Sequence, residues 1–305
     1  MSTEPYLKVR ATIRKLLSRK IANLVRNSVV YARTALGLIP HEDKRRECVS
    51  ALMRVYNEEL WIEPSMLSVK DLVDEYVVID ASADATPLIV EELIRKYRLN
   101  VIYERNFDTD KVRFGQRALE LSTCKWILRW DGDFVMHENS IPLLKEFIQK
   151  RRRGYYAVYW SHVVLVGDLY HTTREMFHIE HWLSKYAPGA RFIRSGDFEY
   201  FYLPPDITYR VEIGKTLSFH LKVGKPVDFL LKKYRFEHFK YDIKEPFEDF
   251  VRKRVKEEFA TESIEEAAEE YYKRLLENAV PYDRRVLDYP KILKEYVKRK
   301  LGIDL

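Results

Sequence analysis

The chain has 305 residues, of which 46% are hydrophobic and 33% charged, and its formal net charge is +6. This composition is typical of a soluble globular protein, and the length can bury one large core or two modest ones. No window approaches the ~20 uninterrupted apolar residues of a membrane span, and no apolar block follows the basic N-terminus as in a signal peptide, so we expect a cytoplasmic protein.

The first predicted element is a basic helical arm. Between Pro5 and Glu42 the sequence has eight Lys or Arg residues and no acid. On a projection of 100° per residue, a basic face lies roughly opposite an apolar face. The basic face consists of Lys8, Lys15, Arg19, Arg26 and Arg33, and the apolar face of Ile13, Leu17, Leu24, Tyr31 and Ala35.

Two interpretations of this arm remain open. A cationic face opposite an apolar one fits peripheral contact of residues 8–36 with the anionic inner face of a membrane. Alternatively, the helix packs on the main domain and leaves its basic face in solvent. We expect no nucleic-acid partner, because the chain lacks zinc ligands and the Gly- and aromatic-rich strand of an RNA-binding module.

After the arm, predicted strands and helices alternate. The strands cover residues 49–56, 76–79, 100–103 and 125–130, and the helices cover residues 60–69, 86–98, 110–121 and 141–152. This rhythm predicts an α/β fold with a mainly parallel sheet and helices on both faces. Ligands of such sheets bind beyond the carboxyl ends of the strands.

The rest of the chain continues with strands and then becomes helical. Further strands are predicted at residues 155–166, 191–202, 208–213 and 216–223. Beyond them the pattern is helical, with a capping box of Ser263 and Glu266 and a last helix over 292–301 that stops at Gly302. We therefore predict three parts, which are a helical arm over 1–47, an α/β domain over 48–225 and a helical extension over 226–305.

The two cysteines, Cys48 and Cys124, are too few for a disulfide framework. Both precede predicted core strands, so we expect two buried thiols. Glutamine is nearly absent, whereas Lys, Arg and Glu are plentiful, and this bias favours a heat-adapted source. In such a cell a disulfide between the two cysteines would be admissible.

Three acidic motifs follow three of the predicted strands. They are Asn57-Glu58-Glu59, then Asp80-Ala81-Ser82-Ala83-Asp84-Ala85-Thr86, then Asp131-Gly132-Asp133. Carboxylates at one edge of a sheet suit Mg²⁺ or Mn²⁺, which bind through one or two carboxylates together with substrate phosphates. Alone, the last motif would fit an ordinary turn, and Asp80 and Asp84 would fit helix caps, a role we expect for Asp84.

In this order and rhythm, the motifs resemble the family 2 glycosyltransferases, whose pattern is a strand with Asn-Glu, then Asp-x-Ser-x-Asp-x-Thr, then Asp-x-Asp. The resemblance covers residues 48–135 well and 136–225 loosely. It implies a GT-A fold, with a mainly parallel mixed sheet and helices on both faces, and it says nothing about the N-terminal helical arm or the C-terminal helices that we predict beside this domain. It also implies a catalytic domain that moves a hexose from a nucleotide-diphosphate donor to an acceptor hydroxyl.

The same resemblance implies roles for the residues of the motifs. Asp80 corresponds to the acid that contacts the nucleobase, and Asn57 and Glu58 to the turn beside the nucleotide. Asp131 and Asp133 correspond to the acids that hold Mn²⁺ or Mg²⁺ on the donor diphosphate, with Asp133 as the direct ligand.

Four other residues are candidates for the donor site. Arg54, Arg113 and Lys222 could neutralise phosphate charge, and His220 corresponds to the late histidine that many members of the family use as a metal ligand. Other interpretations stay open for two of them. Arg113 could equally belong to a solvated helix face, and His220 to the core.

An inverting transfer needs a base that takes the proton of the acceptor hydroxyl. The family usually provides it in a Glu-Asp pair after the fifth strand, and this chain lacks that pair. The nearest substitutes are Asp197, which we favour, and Glu199, with Asp168 and Glu180 behind them.

Two other functions remain as alternatives. A sugar-phosphate nucleotidyltransferase can share the sheet and the metal-binding acids, but it would carry a Gly-rich loop after the first strand, where this chain has no glycine between Arg54 and Glu59. A non-catalytic membrane-surface protein would use the basic arm instead. If the arm does contact a membrane, the acceptor of the transferase is expected to be a lipid-linked glycan.

Overall fold

The structure is a computed structural model that describes residues 4–40, 44–106, 110–151, 153–195, 198–241 and 243–305, with residues 4–18, 195, 198 and 239 described by their backbone alone. The helices are α1 (Glu4–Ala35), α2 (Ile62–Val69), α3 (Thr86–Tyr97), α4 (Lys111–Leu121), α5 (Ser140–Lys150), α6 (Pro226–Lys240), α7 (Phe247–Phe259), α8 (Ile264–Glu277) and α9 (Lys291–Leu301). The strands are β1 (Arg46–Val55), β2 (Glu75–Asp80), β3 (Val101–Arg105), β4 (Cys124–Arg129), β5 (Phe134–Met136), β6 (Tyr155–Gly167), β7 (His171–Lys185), β8 (Arg191–Ser195), β9 (Phe198–Tyr202), β10 (Thr208–Val223) and β11 (Val280–Pro281).

Most strands form one mixed sheet. Within the described ranges its order is β3-β2-β1-β4-β7-β6-β10-β5, with β11 paired to β7. The neighbours β3, β2, β1 and β4 are parallel, as the alternation of strands and helices predicted. Beyond β4 the pairing turns antiparallel at β7, and β6 and β10 are again parallel. The prediction of an α/β fold with a mixed sheet is therefore confirmed.

Alternate residues of the parallel strands build two cores, one on each face of the sheet, because successive side chains of a strand point to opposite sides. On one face Met53 of β1 and Val78 of β2 pack in a cluster with Met66 of α2. On the other face Leu52 of β1 packs in a cluster with Phe114 of α4. Helices therefore cover both faces, and the carboxyl ends of β1, β2 and β4 remain free to carry a site.

The sequence patterns missed or merged several strands in the second half. β7 was not predicted, because nine of its first ten residues are exposed or half-buried, with Thr172 as the buried exception, and a continuous buried run covers only its last five residues. The predicted strand over 191–202 is a hairpin of β8 and β9, which form a separate two-stranded sheet. The strands predicted at 208–213 and 216–223 are one long strand, β10, whose register against β6 shifts between Glu212 and Ser218.

Cys48 and Cys124 are joined in a disulfide, so the expectation of two buried thiols was wrong. The physical reason lies in the sheet, because β1 and β4 are parallel neighbours. Arg46 lies opposite Cys124 and Val49 lies opposite Trp126, which brings the Cα atoms of the two cysteines within 4.9 Å of each other. The disulfide thus ties together two strands that end at the acidic motifs.

Helix α1 packs against the first half of β10 through its polar face. Because β5 pairs only with the second half of β10, the edge near Arg210 is open. Asn27 closes that edge, since its side chain accepts a hydrogen bond from the backbone N–H of Arg210 and donates one to its carbonyl, both at 2.9 Å. Arg26 donates to the carbonyl of Thr208, and Arg19 pairs with Glu212 at 3.0 Å.

Both interpretations of the arm placed its basic face outward, and for the described residues this was wrong. Arg19, Arg26 and Arg33 turn toward β10 and the residues before it, where Arg33 pairs with Asp206. Several apolar side chains face solvent instead, namely Ile21, Leu24, Val25, Val29 and Tyr31, each between 49% and 69% exposed. Along the described ranges, no helix is both long and apolar enough to pass through a bilayer.

Three of the C-terminal helices, α6, α7 and α8, form a small core of their own, whereas α9 packs with residues of the sheet. Helix α6 begins at Pro226, and its residues Leu230 and Tyr234 pack with Phe250 of α7 and Ala267 of α8. Ser263 caps α8 by accepting a hydrogen bond from the N–H of Glu266, as predicted, but the Glu266 carboxylate accepts one from Thr261 rather than closing the capping box. Helix α9 ends before Gly302, as predicted.

Candidate functional site

A cavity of about 440 Å³ lies at the carboxyl ends of β1 and β4, between the sheet and helix α6. Its lining residues come from distant parts of the chain and are Arg54, Val55, Tyr56, Glu58, Ala81, Lys111, Phe114, Asp131, Asp133, His220, Lys222, Lys232, Arg235 and Phe236. Among these described residues, five carry a cation and three a carboxylate. The volume falls in the range of small-molecule sites, and the excess of cations favours an anionic ligand.

The first two sequence motifs hold each other in place beside this cavity. The backbone N–H of Asn57 donates to Oγ of Ser82 at 2.8 Å, and the N–H of Glu58 donates to Oγ1 of Thr86 at 2.9 Å. Asn57 has a φ of +51°, a conformation that asparagine adopts more readily than most residues. Asp84 accepts from the N–H of Thr86 at 3.0 Å and from the N–H of Glu59 at 3.1 Å, so it joins the turn after β1 to the first residue of α3, whose N-cap position is occupied by Ala85.

Gly132, between the two acids of the third motif, is required by close packing. A Cβ atom at this position would lie 2.8 Å from Cγ and 3.1 Å from Cβ of Glu58. Glu58 itself is buried, and Nζ of Lys232 in α6 donates to its Oε1 at 2.8 Å. Burial raises the pKa of Glu58 to about 8, although Lys232 opposes this shift. The absence of a side chain at residue 132 thus lets a buried carboxyl group approach the acidic motif.

Arg54, the penultimate residue of β1, forms ion pairs with two carboxylates. Its Nη2 donates to both oxygens of Asp131, at 2.9 and 2.8 Å, and its Nη1 donates to Glu199 of β9. Burial would lower the pKa of Arg54, but the two carboxylates raise it above its ordinary value. Burial would raise the pKa of Glu199, but Arg54 and Lys111 bring it down to about 2. Glu199 therefore stays ionised at neutral pH.

Asp133 and His220 are neighbours in the wall of the cavity. Nε2 of His220 lies 3.2 Å from Oδ2 of Asp133, and the imidazole stacks on the ring of Phe134 with 4.1 Å between ring centroids. Burial would raise the pKa of Asp133, but His220, Lys232 and Lys222 hold it below its ordinary value. The structure therefore keeps an ionised carboxylate and an oriented imidazole side by side.

Asp80 is close to the cavity but its carboxylate does not line it. The side chain is fully buried, and it accepts hydrogen bonds from the hydroxyl of Tyr103 at 2.5 Å and from the N–H of Ser82 at 2.7 Å. The adjacent Ala81 does line the cavity. Contact between Asp80 and a nucleobase would require the base to replace or join Tyr103, and this role stays a prediction.

The structure brings most of the predicted residues together, with some exceptions. Arg54, Glu58, Asp131, Asp133, His220 and Lys222 line the cavity. Asn57 lines an adjoining cavity of about 390 Å³ that shares Glu58 and Lys232 with the first. Arg113 does not reach either cavity, because its side chain is 71% exposed and lies beside Asp110. Asp197 lies outside the described residues, so its role stays a prediction.

Sequence reasoning missed the contribution of α6. Lys232 and Arg235 both line the cavity, and Nη2 of Arg235 donates to the hydroxyl of Tyr56 at 3.1 Å. Lys111, two residues before the exposed Arg113, is the cation that α4 supplies. The only signal in the sequence was that Lys232 and Arg235 stand three residues apart in a helix, a spacing that places them on one face.

Comparison with known proteins decides the family. The family model described as glycosyl transferase family 2 matches residues 50–213, more than half of the chain. This chain belongs to that family. The match confirms the resemblance read from the three motifs, and the mixed α/β sheet is the GT-A fold that the resemblance implied.

The individual relatives of this family 2 member either match a short part of the chain or share little sequence identity with it. The uncharacterized protein MJ0544 of Methanocaldococcus jannaschii is 35% identical over 100 residues, which are 31% of this chain and 44% of that protein. The chain thus spans less than half the length of this relative. Residues 1–349 of TarS from S. aureus, solved with UDP and with UDP-GlcNAc, are 13% and 14% identical with TM-scores of 0.42 and 0.45. These alignments cover 70% of this chain and 72% and 73% of TarS 1–349.

Proposed function

We propose that this protein is a glycosyltransferase that takes a hexose from a nucleotide-diphosphate sugar and attaches it to an acceptor hydroxyl. The observation that carries this proposal is the cavity in which Asp133 and His220 stand beside the cations Lys222, Lys232 and Arg235. A diphosphate needs neutralising charge in a site that excludes much of the water, and fixed cations provide it without reorganisation. The family membership supports the same class of reaction.

A divalent metal, Mn²⁺ or Mg²⁺, is part of the proposal. Nothing in the described ranges gathers three or more His, Cys, Asp or Glu side chains around one point for a metal. The protein would therefore offer Asp133 and His220, since Arg54 already holds both oxygens of Asp131. This fits Mg²⁺ or Mn²⁺, which usually bind through one or two protein ligands together with phosphate oxygens and water. When bound, the ion would stabilise charge on the departing diphosphate.

An inverting transfer needs a catalytic base, and we propose two candidates for it in order. Asp197 is our first candidate and lies outside the described residues. Glu199 is the second, but its carboxylate is paired with Arg54 and its pKa of about 2 makes it a weak proton acceptor in this arrangement. We expect Asp197→Asn to lower kcat by more than tenfold with little change in donor binding. If Glu199→Gln alone has that effect, Glu199 is the base.

The donor can be identified by thermal shift with a panel of UDP-, GDP- and dTDP-sugars, each with and without Mn²⁺. A ligand that binds the folded state raises the melting temperature. We expect one nucleotide class to do so, more strongly with Mn²⁺. Asp133→Asn should abolish the Mn²⁺-dependent part, whereas Asp304→Asn, which changes an exposed acid near the C-terminus, should not. A panel without any shift would reject the proposal.

Two alternatives predict different products. A nucleotidyltransferase would release pyrophosphate, whereas a glycosyltransferase releases the nucleoside diphosphate, so the released phosphate species separates the two. The turn after β1 disfavours the former, because Asn57 occupies it with a positive φ in place of a glycine-rich loop. A non-catalytic membrane-surface protein would keep its function after Asp131→Asn and Asp133→Asn.

The acceptor and the location complete the proposal. We propose an acceptor hydroxyl on a lipid-linked glycan and a cytoplasmic protein that contacts the inner face of the membrane peripherally through residues 8–36. The support for this is the basic N-terminal segment, which has eight cationic residues and no acid between Pro5 and Glu42. Turnover with a lipid-linked acceptor, compared with the same glycan freed of its lipid, would test it.

A further inference from the structure

Helix α1 lies on the protein with its faces reversed relative to an ordinary amphipathic surface helix. A surface helix buries its apolar stripe against the core and turns its charges to water. Here the face toward β10 is made mostly of polar and cationic side chains, with Val30 as a fully buried apolar exception. The opposite face exposes large apolar side chains, among which Leu24 is 68% and Tyr31 is 69% exposed.

The polar contacts explain why the helix keeps this orientation. Asn27 satisfies both backbone groups of Arg210 at the open edge of β10, and Asn23 donates to Glu212 at 3.0 Å. Turning the helix over to bury its apolar stripe would leave that strand edge and Glu212 without these partners. The exposed stripe is therefore the consequence of specific contacts elsewhere on the same helix.

The exposed stripe continues beyond the helix. Leu36 and Leu38, in the turn that follows α1, are 72% and 56% exposed. With Ile21 and Val25 they extend the apolar surface from the middle of the helix to its C-terminal end. Over residues 21–35 the helix alone rises roughly 21 Å, so the surface is long enough to lie along an interface.

The charge of the segment indicates what covers this surface. Glu212 and Asp206 engage Arg19 and Arg33, and Arg26 binds a backbone carbonyl. The segment carries no acid to balance its other cations, and one of these, Lys20, is exposed beside the stripe. A second copy of the chain would bring two such basic segments together, which is unfavourable. A layer that is apolar inside and anionic at its surface complements both features.

We propose that the apolar face of α1, with Leu36 and Leu38, is a docking surface for an anionic lipid bilayer, and that the polar face is its fixed attachment to the catalytic domain. This inference revises the expectation that the basic face itself would meet the membrane. It also fixes the orientation of the enzyme relative to the membrane, because β10 carries α1 at one end and His220 of the cavity at the other. The eight residue steps from Glu212 to His220 span roughly 26 Å along a strand.

The test is flotation of the full chain with vesicles of phosphatidylglycerol and, separately, of phosphatidylcholine. We expect the wild type to float with the anionic vesicles and much less with the neutral ones. Leu24→Gln should weaken binding to anionic vesicles about tenfold, since it removes one large apolar side chain from the interface. Leu88→Gln is the matched control, because Leu88 is also a leucine on a helix that is 68% exposed but belongs to α3.

Each other outcome would overturn the proposal. These outcomes are no flotation of the wild type, equal loss in Leu24→Gln and Leu88→Gln, or equal binding to both kinds of vesicle. A lipid-free dimer in light scattering that becomes a monomer with Leu24→Gln would assign the stripe to a second copy instead. Unchanged melting temperatures of both variants would show that a loss of flotation is not caused by unfolding. The flotation assay needs no turnover, so its result is independent of the proposed transferase activity.

Discussion

The guanidinium of Arg54 holds both carboxylate oxygens of Asp131, at 2.9 and 2.8 Å, in the wall of the candidate site. One of the two acids of the Asp-Gly-Asp motif is therefore neutralised by a cation of the protein itself. Glu199 binds the other side of the same guanidinium. Arg54 thus links β1, the acidic motif and the β8–β9 hairpin. Because Arg54 holds Asp131 in a structural ion pair, Asp133 is the acid of the motif that remains for a ligand.

Replacing Arg54 should destabilise the protein strongly. Arg54→Met leaves the carboxylates of Asp131 and Glu199 without their shared cation. Breaking a fully buried ion pair costs about 3–5 kcal/mol. We expect a loss at the lower end of this range, because Asp131 is 31% exposed. The control is Arg117→Met, which breaks the solvent-screened pair of Arg117 with Glu104 and should change the stability much less. Urea unfolding at pH 7 measures both.

The pH dependence of this effect has a definite sign. Arg54 is one of the groups that hold the folded-state pKa of Glu199 near 2, below the ordinary value of 4.5, so the pair stabilises the fold above pH 4.5. That contribution is lost as the pH falls from 4.5 toward 2. The destabilisation by Arg54→Met should therefore shrink over this range. A difference between wild type and variant that stays constant from pH 7 to pH 3 would contradict the assignment.

Gly132→Ala should disturb Glu58 more than the turn itself. The new Cβ would meet Cβ and Cγ of Glu58 at 3.1 and 2.8 Å, so the buried side chain must move. We expect a loss of about 1–3 kcal/mol, typical of overpacking, and weaker donor binding because Lys232 loses its position. Gly214→Ala is the control, since no atom lies within 4 Å of a Cβ there. Equal effects of both substitutions would refute the packing argument.

Glu58 should make stability fall as the pH rises through the neutral range. Its pKa is about 8 in the folded protein and 4.5 without burial, so the unfolded chain releases the proton first. The contribution of Glu58 is complete below pH 4.5 and is lost between pH 4.5 and 8, at up to about 1.4 kcal/mol per pH unit. Glu58→Gln cannot ionise and should remove this slope. Parallel stability curves of wild type and variant from pH 5 to pH 8 would show that Lys232 keeps Glu58 ionised instead.

The disulfide should contribute substantially to stability. It joins residues 76 positions apart, and closing a loop of this length lowers the entropy of the unfolded chain by the equivalent of about 4.5 kcal/mol in the chain-entropy model. Adding a reductant should therefore lower the melting temperature of the wild type. Cys48→Ala, which cannot form the bond, should melt at the same temperature with and without reductant. Alkylation of both cysteines in the unfolded, unreduced wild type would show that the bond is absent.

Much of the candidate site was predictable because its residues stand at the ends of parallel strands. Asp131, Asp133 and Glu58 each follow an apolar run, and local periodicity places the end of such a run at one edge of the sheet. The cations of α6 were not predictable in the same way. Lys232 and Arg235 reach the cavity only because the C-terminal helices fold back over the sheet, and no local pattern states where a helix docks.

The sequence by itself determined the family, the α/β rhythm and the three acidic motifs, because these depend on residues close together in the chain. It also determined that α1 has two unlike faces. Only the tertiary structure decided which face is buried, which carboxylate Arg54 neutralises, and that Cys48 meets Cys124. In each case the partner lies on a distant segment of the chain. The strand edge that α1 covers, the charge that Arg54 binds and the register that aligns the two cysteines exist only after the sheet has formed.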